Sequence, residues 1–339
     1  MQLPNSAVLE LTYRCNHKCL FCSCPWDAKD STYPRGRELS FGQWKKAIDR
    51  LYSLGVKSFS LSGGEALLKD CMPQIVEYIH SENIRRNITY PIVLISNGLA
   101  MTEDFLDLFQ KNNVHLSMSL PGYKTFAKLT GTDNADGVLH WFRRAKERGM
   151  KTTCNVTVTA LNYHELFETL SLGLINGADD ILVNRFLLGG RGLEHRELVI
   201  SNVQLNGMLD TAEEVLRYSG RHGNVGTEIP LCAINEPEKY KHLSIGSQCA
   251  AAKSFFVIGP SGEIRCCNHS PHVVGNILDE EIISDIAYWN IFAQGNYKPA
   301  RCYDCQKVNR CDCGCRECAN IVYGSPRAED PCMEDISAI

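Results

Sequence analysis

Residues 8–24 of this 339-residue chain read VLELTYRCNHKCLFCSC, an apolar, strand-like run followed closely by cysteines. Cys15, Cys19 and Cys22 have the spacing C-x3-C-x2-C, which closes a loop short enough to hold three irons of a 4Fe–4S cluster. Cysteine thiolates are the usual ligands of such clusters. Three ligands leave the fourth iron open to bind a small molecule. A structural zinc site is the alternative, because Cys24 offers a fourth thiolate nearby.

A second motif follows the next strand-like run, residues 56–61, where the chain reads Gly63-Gly64-Glu65. Glycine lets the backbone come close to a ligand and adopt dihedral angles that other residues avoid. The two motifs and the strands before them resemble those of the radical S-adenosylmethionine (SAM) superfamily, and the resemblance covers nearly the whole chain. It implies that the three cysteines hold a catalytic cluster and that SAM binds to the open iron.

Strand-like and helix-like runs alternate from residue 7 to about residue 195. Strands separated by helices indicate right-handed crossovers and a parallel sheet. The resemblance implies an α/β fold whose core is the partial six-stranded (β/α)6 barrel of the superfamily. The predicted strands are residues 8–12, 56–61, 91–95, 114–120, 152–158 and 181–186, and the predicted helices are residues 41–54, 71–81, 102–111, 137–149 and 163–175.

Three regions are expected along the chain: the barrel at residues 1–195, a connector at 196–245 and a small cysteine-rich domain at 246–339. The connector contains a predicted helix at residues 202–218, which ends before Gly220.

The predicted strands are polar on one face. In residues 114–120, His115, Ser117 and Ser119 share a face, because side chains alternate along a strand. Strands in the core of a parallel sheet are usually apolar on both faces. The pattern therefore favours a lumen that holds a polar ligand, although core hydroxyls with satisfied hydrogen bonds are an alternative.

The resemblance also implies which side chains surround SAM. Phe21 lies where relatives have an aromatic residue beside the adenine, and the Gly63-Gly64-Glu65 motif contacts the amino group of SAM. Lys128 is the nearest match to an arginine that meets the SAM carboxylate in relatives. The remaining expected contacts come from strand ends and are Ser96, Asn97, Ser117, Ser119 and Asn155.

Cysteines also gather near the C-terminus. Four of them have the spacing C-x2-C-x5-C-x3-C, two lie upstream around Gly262, and one lies downstream. This arrangement resembles the seven-cysteine pattern of the SPASM domain, an extension of radical SAM enzymes that act mainly on peptides and proteins. The seven are Cys249, Cys267, Cys302, Cys305, Cys311, Cys315 and Cys332.

The resemblance implies that this domain holds two auxiliary 4Fe–4S clusters. The outer cluster would take Cys302, Cys305, Cys311 and Cys332, and the inner cluster would take Cys249, Cys267 and Cys315. The fourth inner ligand is then either missing, which leaves an open iron, or supplied by a spare cysteine. Cys266 is a poor candidate, because strand neighbours point to opposite faces. The other candidates are Cys232, Cys313 and Cys318.

Composition and charge limit which partners and which location are expected for this protein. The net charge is −4, with 22% charged residues, so neither nucleic acid nor an anionic membrane surface is expected as a partner. No apolar run approaches the ~18 residues of a membrane helix. The N-terminus has no secretory signal, which predicts a cytoplasmic protein. In a reducing compartment, seventeen cysteines indicate metal binding or catalysis more than disulfides.

The resemblance implies an enzyme that cleaves SAM reductively to methionine and a 5′-deoxyadenosyl radical, which removes hydrogen from a substrate. A flavodoxin or ferredoxin is the expected electron donor. The favoured substrate is a ribosomally made peptide, changed by a cross-link or another side-chain modification. Strand one begins within ten residues of the N-terminus, so substrate recognition is expected to use either a separate leader-binding protein or the barrel itself.

Three alternatives remain open. A small molecule or a tetrapyrrole side chain is the first alternative substrate. Anaerobic sulfatase maturation is the second, although those enzymes carry aspartate where this chain has Asn268. A non-enzymatic, zinc-binding interaction module is the third.

Overall fold

The computed structural model describes residues 3–333. Six parallel strands follow one another in chain order at the centre of a sheet, with helices between them. These strands are β1 (Ser6–Glu10), β2 (Ser58–Ser62), β3 (Ile92–Ser96), β4 (Val114–Ser119), β5 (Thr152–Val158) and β6 (Asp180–Arg185). The predicted α/β fold and its six-stranded partial barrel are thus confirmed.

Each helix predicted in the first 220 residues is present to within a few residues. Three short helices, α4, α8 and α9, were not predicted, because five to eight residues are too few to show a clear periodic pattern. The helices are α1 (Phe41–Ser53), α2 (Met72–Arg85), α3 (Glu103–Lys111), α4 (Phe126–Thr130), α5 (Ala135–Glu147), α6 (Leu166–Ile175), α7 (Asn202–Ser219), α8 (Ile286–Ala293) and α9 (Arg316–Tyr323).

Local sequence signals explain where these helices start and stop. At the start of α7, the Gln204 backbone N–H donates to Ser201 Oγ at 3.2 Å, and the Ser201 N–H donates to Gln204 Oε1 at 2.9 Å. This reciprocal capping satisfies two backbone groups that a helix end leaves unpaired. Gly220 ends the helix in the left-handed conformation, with φ of 63°.

The strands place apolar side chains toward the helices and polar ones toward the interior of the partial barrel. In β2, Phe59 and Leu61 are fully buried, while the serines alternate with them. His115 Nε2 lies 2.7 Å from Thr153 Oγ1 across β4 and β5, so the polar face predicted for β4 continues on β5. The barrel interior is therefore polar.

The sheet extends beyond the six predicted strands on both sides. Strands β7 (Gly223–Val225) and β8 (Leu243–Ile245) continue it past β6. On the other side, β9 (Phe255–Ile258) runs parallel to β1, and β10 (Glu263–Arg265) and β11 (Gly275–Asn276) follow antiparallel. The C-terminal region thus returns to the first strand.

The boundaries predicted for the three regions stay a prediction, and their outermost residues, 1–2 and 334–339, lie outside the described residues. Across residues 3–333, every helix is too short or too polar to span a lipid bilayer.

Candidate functional site

The carboxyl ends of the barrel strands open onto a cavity of about 480 Å³. The cysteine loop after β1 forms one part of its wall, and cysteines of the C-terminal region form another. Open α/β folds place their ligand sites at this end of the sheet. The cysteines in the wall include Cys15, Cys19, Cys22, Cys249, Cys267 and Cys315. The two sets predicted to bind the catalytic and inner clusters therefore face one space.

The cysteine loop is held from two sides. On one side, the Lys18 and Leu20 backbone N–H groups donate to carbonyls of α4, both at 2.8 Å. On the other, Arg191 Nη1 donates to Cys19 O at 3.1 Å. The Gly192 N–H donates to Cys22 O, also at 3.1 Å. The loop after β6 therefore fixes the backbone that carries the thiols.

Burial keeps most of these thiols protonated when no metal is bound. It raises the pKa of Cys15 to about 11 and moves the pKa of Cys19 upward as well. The pKa of Cys22 is lowered, because its sulfur accepts a hydrogen bond from the Cys24 thiol. Metal binding at such a site must release protons.

The donor set fits a 4Fe–4S cluster. Three thiols on one short loop reach the same cavity, and cysteine thiolates are the ligands that such clusters take. Within residues 3–333, no three His, Cys, Asp or Glu side chains converge as ligands of one metal ion. Cluster ligation does not require that convergence, because each thiolate binds its own iron.

The Gly63-Gly64-Glu65 turn packs directly against the chain that leads into the cysteine loop. The Gly64 N–H donates to Thr12 O at 2.9 Å, and the Glu65 N–H donates to Arg14 O at 2.8 Å. Gly63 has φ of +129°, and a Cβ added at Gly64 would lie 2.3 Å from Arg14 O. The sequence analysis explained these two glycines by a ligand that comes close to the backbone. In the structure, the atoms nearest to them belong to the backbone of residues 11–14.

We expect Gly64→Ala to weaken SAM binding by about tenfold or more, because Arg14 would have to move and would shift the cysteine loop. A tenfold change in Kd corresponds to about 1.4 kcal/mol of binding free energy. Isothermal titration calorimetry of the reconstituted protein measures the effect. Gly42→Ala is the matched control, since a Cβ at Gly42 on α1 meets nothing within 4 Å. Equal SAM affinities in the two variants would contradict this explanation of the turn.

The buried Glu65 carboxylate connects the turns after β2 and β3. Its Oε1 accepts from Ser96 Oγ at 2.9 Å, and its Oε2 accepts from the Asn97 N–H at 2.8 Å. Asn97 Nδ2 in turn donates to Asn16 Oδ1 in the cysteine loop at 2.8 Å. Burial raises the pKa of Glu65. Three of the residues expected to contact SAM thus form one network that positions the loop.

The cavity brings together most of the predicted SAM contacts, and their role in binding stays a prediction. Among the described residues, Ser117 and Lys128 do not line it. Ser117 is buried two residues deeper in β4, and Lys128 is exposed on α4, on the side opposite to Phe126 and Thr130. The predicted contacts that do line the cavity are Phe21, Gly63, Gly64, Glu65, Ser96, Asn97, Ser119 and Asn155.

Buried carboxylates anchor two cysteines of the inner set. The Cys249 N–H donates to Asp312 Oδ2 at 3.0 Å, and the Cys315 N–H donates to Asp330 Oδ2 at 2.6 Å. Asp330 also forms a buried ion pair with Arg185 at the end of β6, at 2.6 Å. Burial raises the pKa of Cys249 to about 12 and that of Cys315 well above its ordinary value. The barrel therefore fixes this cysteine set directly.

The third inner cysteine, Cys267, follows β10. It lines the cavity, whereas its neighbour Cys266 is fully buried and does not contribute to that wall in the described structure. Both cysteines lie beyond the end of β10, so strand alternation does not explain this difference, and the choice of Cys267 over Cys266 as a ligand stays a prediction.

The outer set lies around a second, smaller cavity of about 30 Å³. Cys302, Cys305 and Cys311 line it, together with Cys232 and Cys313. Cys332 does not belong to that wall as described, but its neighbours Asp330 and Met333 do. Three of the four predicted outer ligands are thus together, and their ligation stays a prediction.

A buried ion pair joins the two cysteine regions. Arg265, the last residue of β10, donates to Glu10 Oε2 at the end of β1, and both side chains are almost completely buried. Asn268 Nδ2 donates to Glu10 Oε1 at 3.2 Å. The guanidinium also lies over the rings of Trp26 and Tyr33, 5.7 and 5.4 Å from their centroids. Arg265 therefore contacts the segments on both sides of the cysteine loop.

Sequence reasoning missed several polar residues of the cavity wall. His17 lies within the cysteine loop, and its Nε2 has no hydrogen-bond partner in the described structure. Glu228, His269 and Glu317 also line the cavity. Only His17 had a usable signal, namely its position between two ligand cysteines. The others come from β7, the β10–β11 connection and α9, which lie far apart in the chain.

Residues 9–173 match the family model of the Radical SAM superfamily. A PqqA peptide cyclase of Ruegeria pomeroyi is 24% identical over 346 residues, which cover 97% of this chain and 86% of the relative. Another, from Xanthomonas campestris pv. campestris, is 25% identical over 342 residues, covering 98% and 87%.

Two solved structures share the fold. Streptococcus suis SuiB bound to S-adenosylmethionine superposes with a TM-score of 0.72 at 17% identity, covering 100% of this chain and 78% of SuiB. The anSMEcpe structure with bound AdoMet and the Cp18Cys peptide gives 0.73 at 17% identity, covering 96% and 92%. The matched residues contain both the cysteine loop and the Gly63-Gly64-Glu65 turn, so residues 9–173 carry a radical SAM domain, and the C-terminal cysteines fit a SPASM domain.

Proposed function

We propose that this enzyme modifies a ribosomally made peptide by forming a cross-link or by another side-chain change. The observation that carries the proposal is the single cavity whose wall contains both the cysteine loop and the inner cysteine set. A peptide side chain in this cavity lies between the site of hydrogen removal and an electron acceptor. The PqqA peptide cyclases aligned over nearly the whole chain support this choice, since by their name they act on a peptide.

Cys15, Cys19 and Cys22 would hold the first cluster. The inner cluster would be held by Cys249, Cys267 and Cys315, and the outer cluster by Cys302, Cys305, Cys311 and Cys332. When bound together with SAM, the first cluster would supply the removal of a hydrogen atom from an unreactive C–H bond, and the auxiliary clusters would supply an acceptor for the electron that remains when a new bond closes.

The protein supplies position and exclusion of water. Phe21 offers an apolar surface in the cavity wall, and Asn155 offers a side-chain amide held by Asn184 Nδ2 at 2.8 Å. Glu65 keeps the turns after β2 and β3 together at the cavity wall. These contacts orient SAM against the substrate.

Asn268 disfavours sulfatase maturation. Its side-chain amide donates to the buried Glu10 carboxylate. An aspartate there would face that carboxylate with a like charge, and the shared site would raise the pKa of one of the two groups. The neutral amide suits the environment that this chain builds, so the aspartate of the sulfatase-maturating enzymes has no equivalent here. A small-molecule or tetrapyrrole substrate remains the second candidate.

We also propose a flavodoxin or ferredoxin as electron donor, a separate leader-binding protein as partner and the cytoplasm as location. The cluster chemistry requires a reducing environment, which supports the location. SuiB has been solved with its precursor peptide SuiA, which supports a peptide partner in this fold.

The test is an anaerobic assay of the reconstituted enzyme with SAM, dithionite and short peptides encoded beside its gene. We expect deoxyadenosine formation to depend on one peptide and that peptide to lose hydrogen by mass spectrometry. Deoxyadenosine coupled to a small molecule, with every peptide unchanged, would contradict a peptide substrate.

A further inference from the structure

We propose that the Glu228 carboxylate is the fourth ligand of the inner auxiliary cluster, beside Cys249, Cys267 and Cys315. The proposal rests on the inner cluster of the proposed function. It assigns a donor that the cysteine pattern does not contain, and it makes the inner cluster a closed site with one oxygen ligand.

Glu228 lies where β7 ends and faces the main cavity, whose wall it shares with the three cysteines. Its Oε1 is 3.4 Å from the backbone nitrogen of Ala250, the residue after Cys249. Its charge acts on both Cys249 and Cys315. The carboxylate is therefore adjacent to the inner cysteine set.

The backbone of this segment is fixed, which holds the carboxylate in place. Arg185 Nη2 donates to Glu228 O at 2.9 Å, and the Arg185 N–H donates to Thr227 Oγ1 at 3.0 Å. Arg185 itself is buried and paired with Asp330. The same arginine thus positions both Glu228 and the carboxylate that anchors Cys315.

The carboxylate of Glu228 forms no ion pair in the described part of the chain, although the charge of Arg185 acts on it from a distance. The only hydrogen bond that it accepts there from another residue is the long one from Ala250. The side chain is half-buried and lines the cavity, so its oxygens are free to bind a metal held by the three cysteines.

The other carboxylates of the cavity wall already have partners. Glu317 accepts from Ser270 Oγ at 2.5 Å and from Tyr288 Oη at 2.6 Å. Glu65 accepts from Ser96 and Asn97. Among the three, Glu228 is therefore the one free to bind a metal.

The spare cysteines of the C-terminal region do not reach this cavity in the described structure. Cys318 Sγ lies 3.8 Å from Leu188 O, and its backbone N–H donates to Cys315 Sγ at 3.4 Å, but the residue does not line the cavity as described. Cys232 and Cys313 line the second cavity, and Cys266 does not belong to the described wall of the main one.

The test compares the EPR spectrum of the reduced inner cluster in four reconstituted variants. Cys267→Ala first identifies the signal of that cluster, which it should remove. We expect Glu228→Gln to reduce the EPR signal that has the wild-type g values by about tenfold or more. Mutation of residues outside the ligand shell already changes metal affinity about 10–100-fold, and the loss of a ligand should have an effect at least as large. Glu228→Cys should retain the cluster iron with a new spectrum. Glu82→Gln, at a buried carboxylate on α2 that lines neither cavity as described, is the matched control and should retain the wild-type spectrum.

Glutamine keeps an oxygen that can accept from Ala250, so a merely structural role of Glu228 would leave the spectrum unchanged. A wild-type spectrum in both Glu228→Gln and Glu228→Cys would overturn the proposal. A signal that persists in Cys267→Ala would instead show that the inner cluster of the proposed function is wrong.

Discussion

Cys19→Ala is expected to abolish SAM cleavage while leaving the C-terminal clusters in place. Cys19 is the middle thiol of a loop that other backbone contacts hold, so removing its sulfur takes away one iron ligand without moving the chain. Three four-iron clusters give about twelve irons in the wild type, and the variant should retain about eight. Deoxyadenosine formation under dithionite, together with iron and sulfide content, measures both effects.

Cys71→Ala is the control for this experiment. Cys71 precedes α2 and packs against the hydrophobic core, away from both cavities as described. We expect it to keep the full iron content and full SAM cleavage. Wild-type deoxyadenosine from Cys19→Ala would refute the assignment of the first loop. Stoichiometric zinc in the wild type, without iron and sulfide, would favour the zinc alternative.

The barrel was predictable because its signals are local. Each of its strands has five to seven residues, and a helix several turns long separates it from the next. Alternating side chains revealed the polar face of β4, which the His115–Thr153 contact confirms. The cysteine spacings were equally local, and they led to the residues that line the two cavities.

The other features of the fold and of the candidate site depend on contacts between distant parts of the chain. Strands β7 to β11 have two to four residues each, too few for a periodic pattern. The pairing of β9 with β1 joins residues about 250 positions apart, and no turn signal specifies it. Glu228 enters the cavity only because the sheet continues past β6. The exposed position of Lys128 was not predictable either, because a family position does not state which side of a short helix faces the cavity.

Arg265→Leu is the variant with the largest expected effect on stability. Arg265 is fully buried and neutralises Glu10, and it joins the end of β10 to the end of β1. Removing one partner of a buried ion pair leaves an uncompensated charge, which destabilises a protein by about 3–5 kcal/mol. Urea unfolding of the reconstituted protein, followed by tryptophan fluorescence without oxygen, measures the difference. The double variant Glu10→Leu/Arg265→Leu should recover much of it, because no charge then remains buried.

Lys111→Leu is the matched control, since Lys111 pairs with Glu77 on the surface, its side chain is 75% exposed, and neither residue lines a described cavity. Surface pairs contribute about 0–1 kcal/mol, so this variant should unfold almost as the wild type does. If Arg265→Leu loses no more unfolding free energy than this control does, the buried pair of Glu10 and Arg265 does not stabilise the fold as proposed.

The loss of unfolding free energy caused by Arg265→Leu should also depend on pH. Burial raises the pKa of Glu10 above its ordinary value, and Arg265 opposes that rise. Without the arginine, Glu10 stays protonated to a higher pH in the folded state than in the unfolded state. The folded variant then binds the extra proton at low pH and loses that stabilisation as the pH rises through the folded-state pKa. The difference from the wild type should therefore be larger at pH 8 than at about pH 4.5, the ordinary pKa of a glutamate carboxyl group. A difference that shrinks over this range would show that Glu10 is not the charge that Arg265 neutralises.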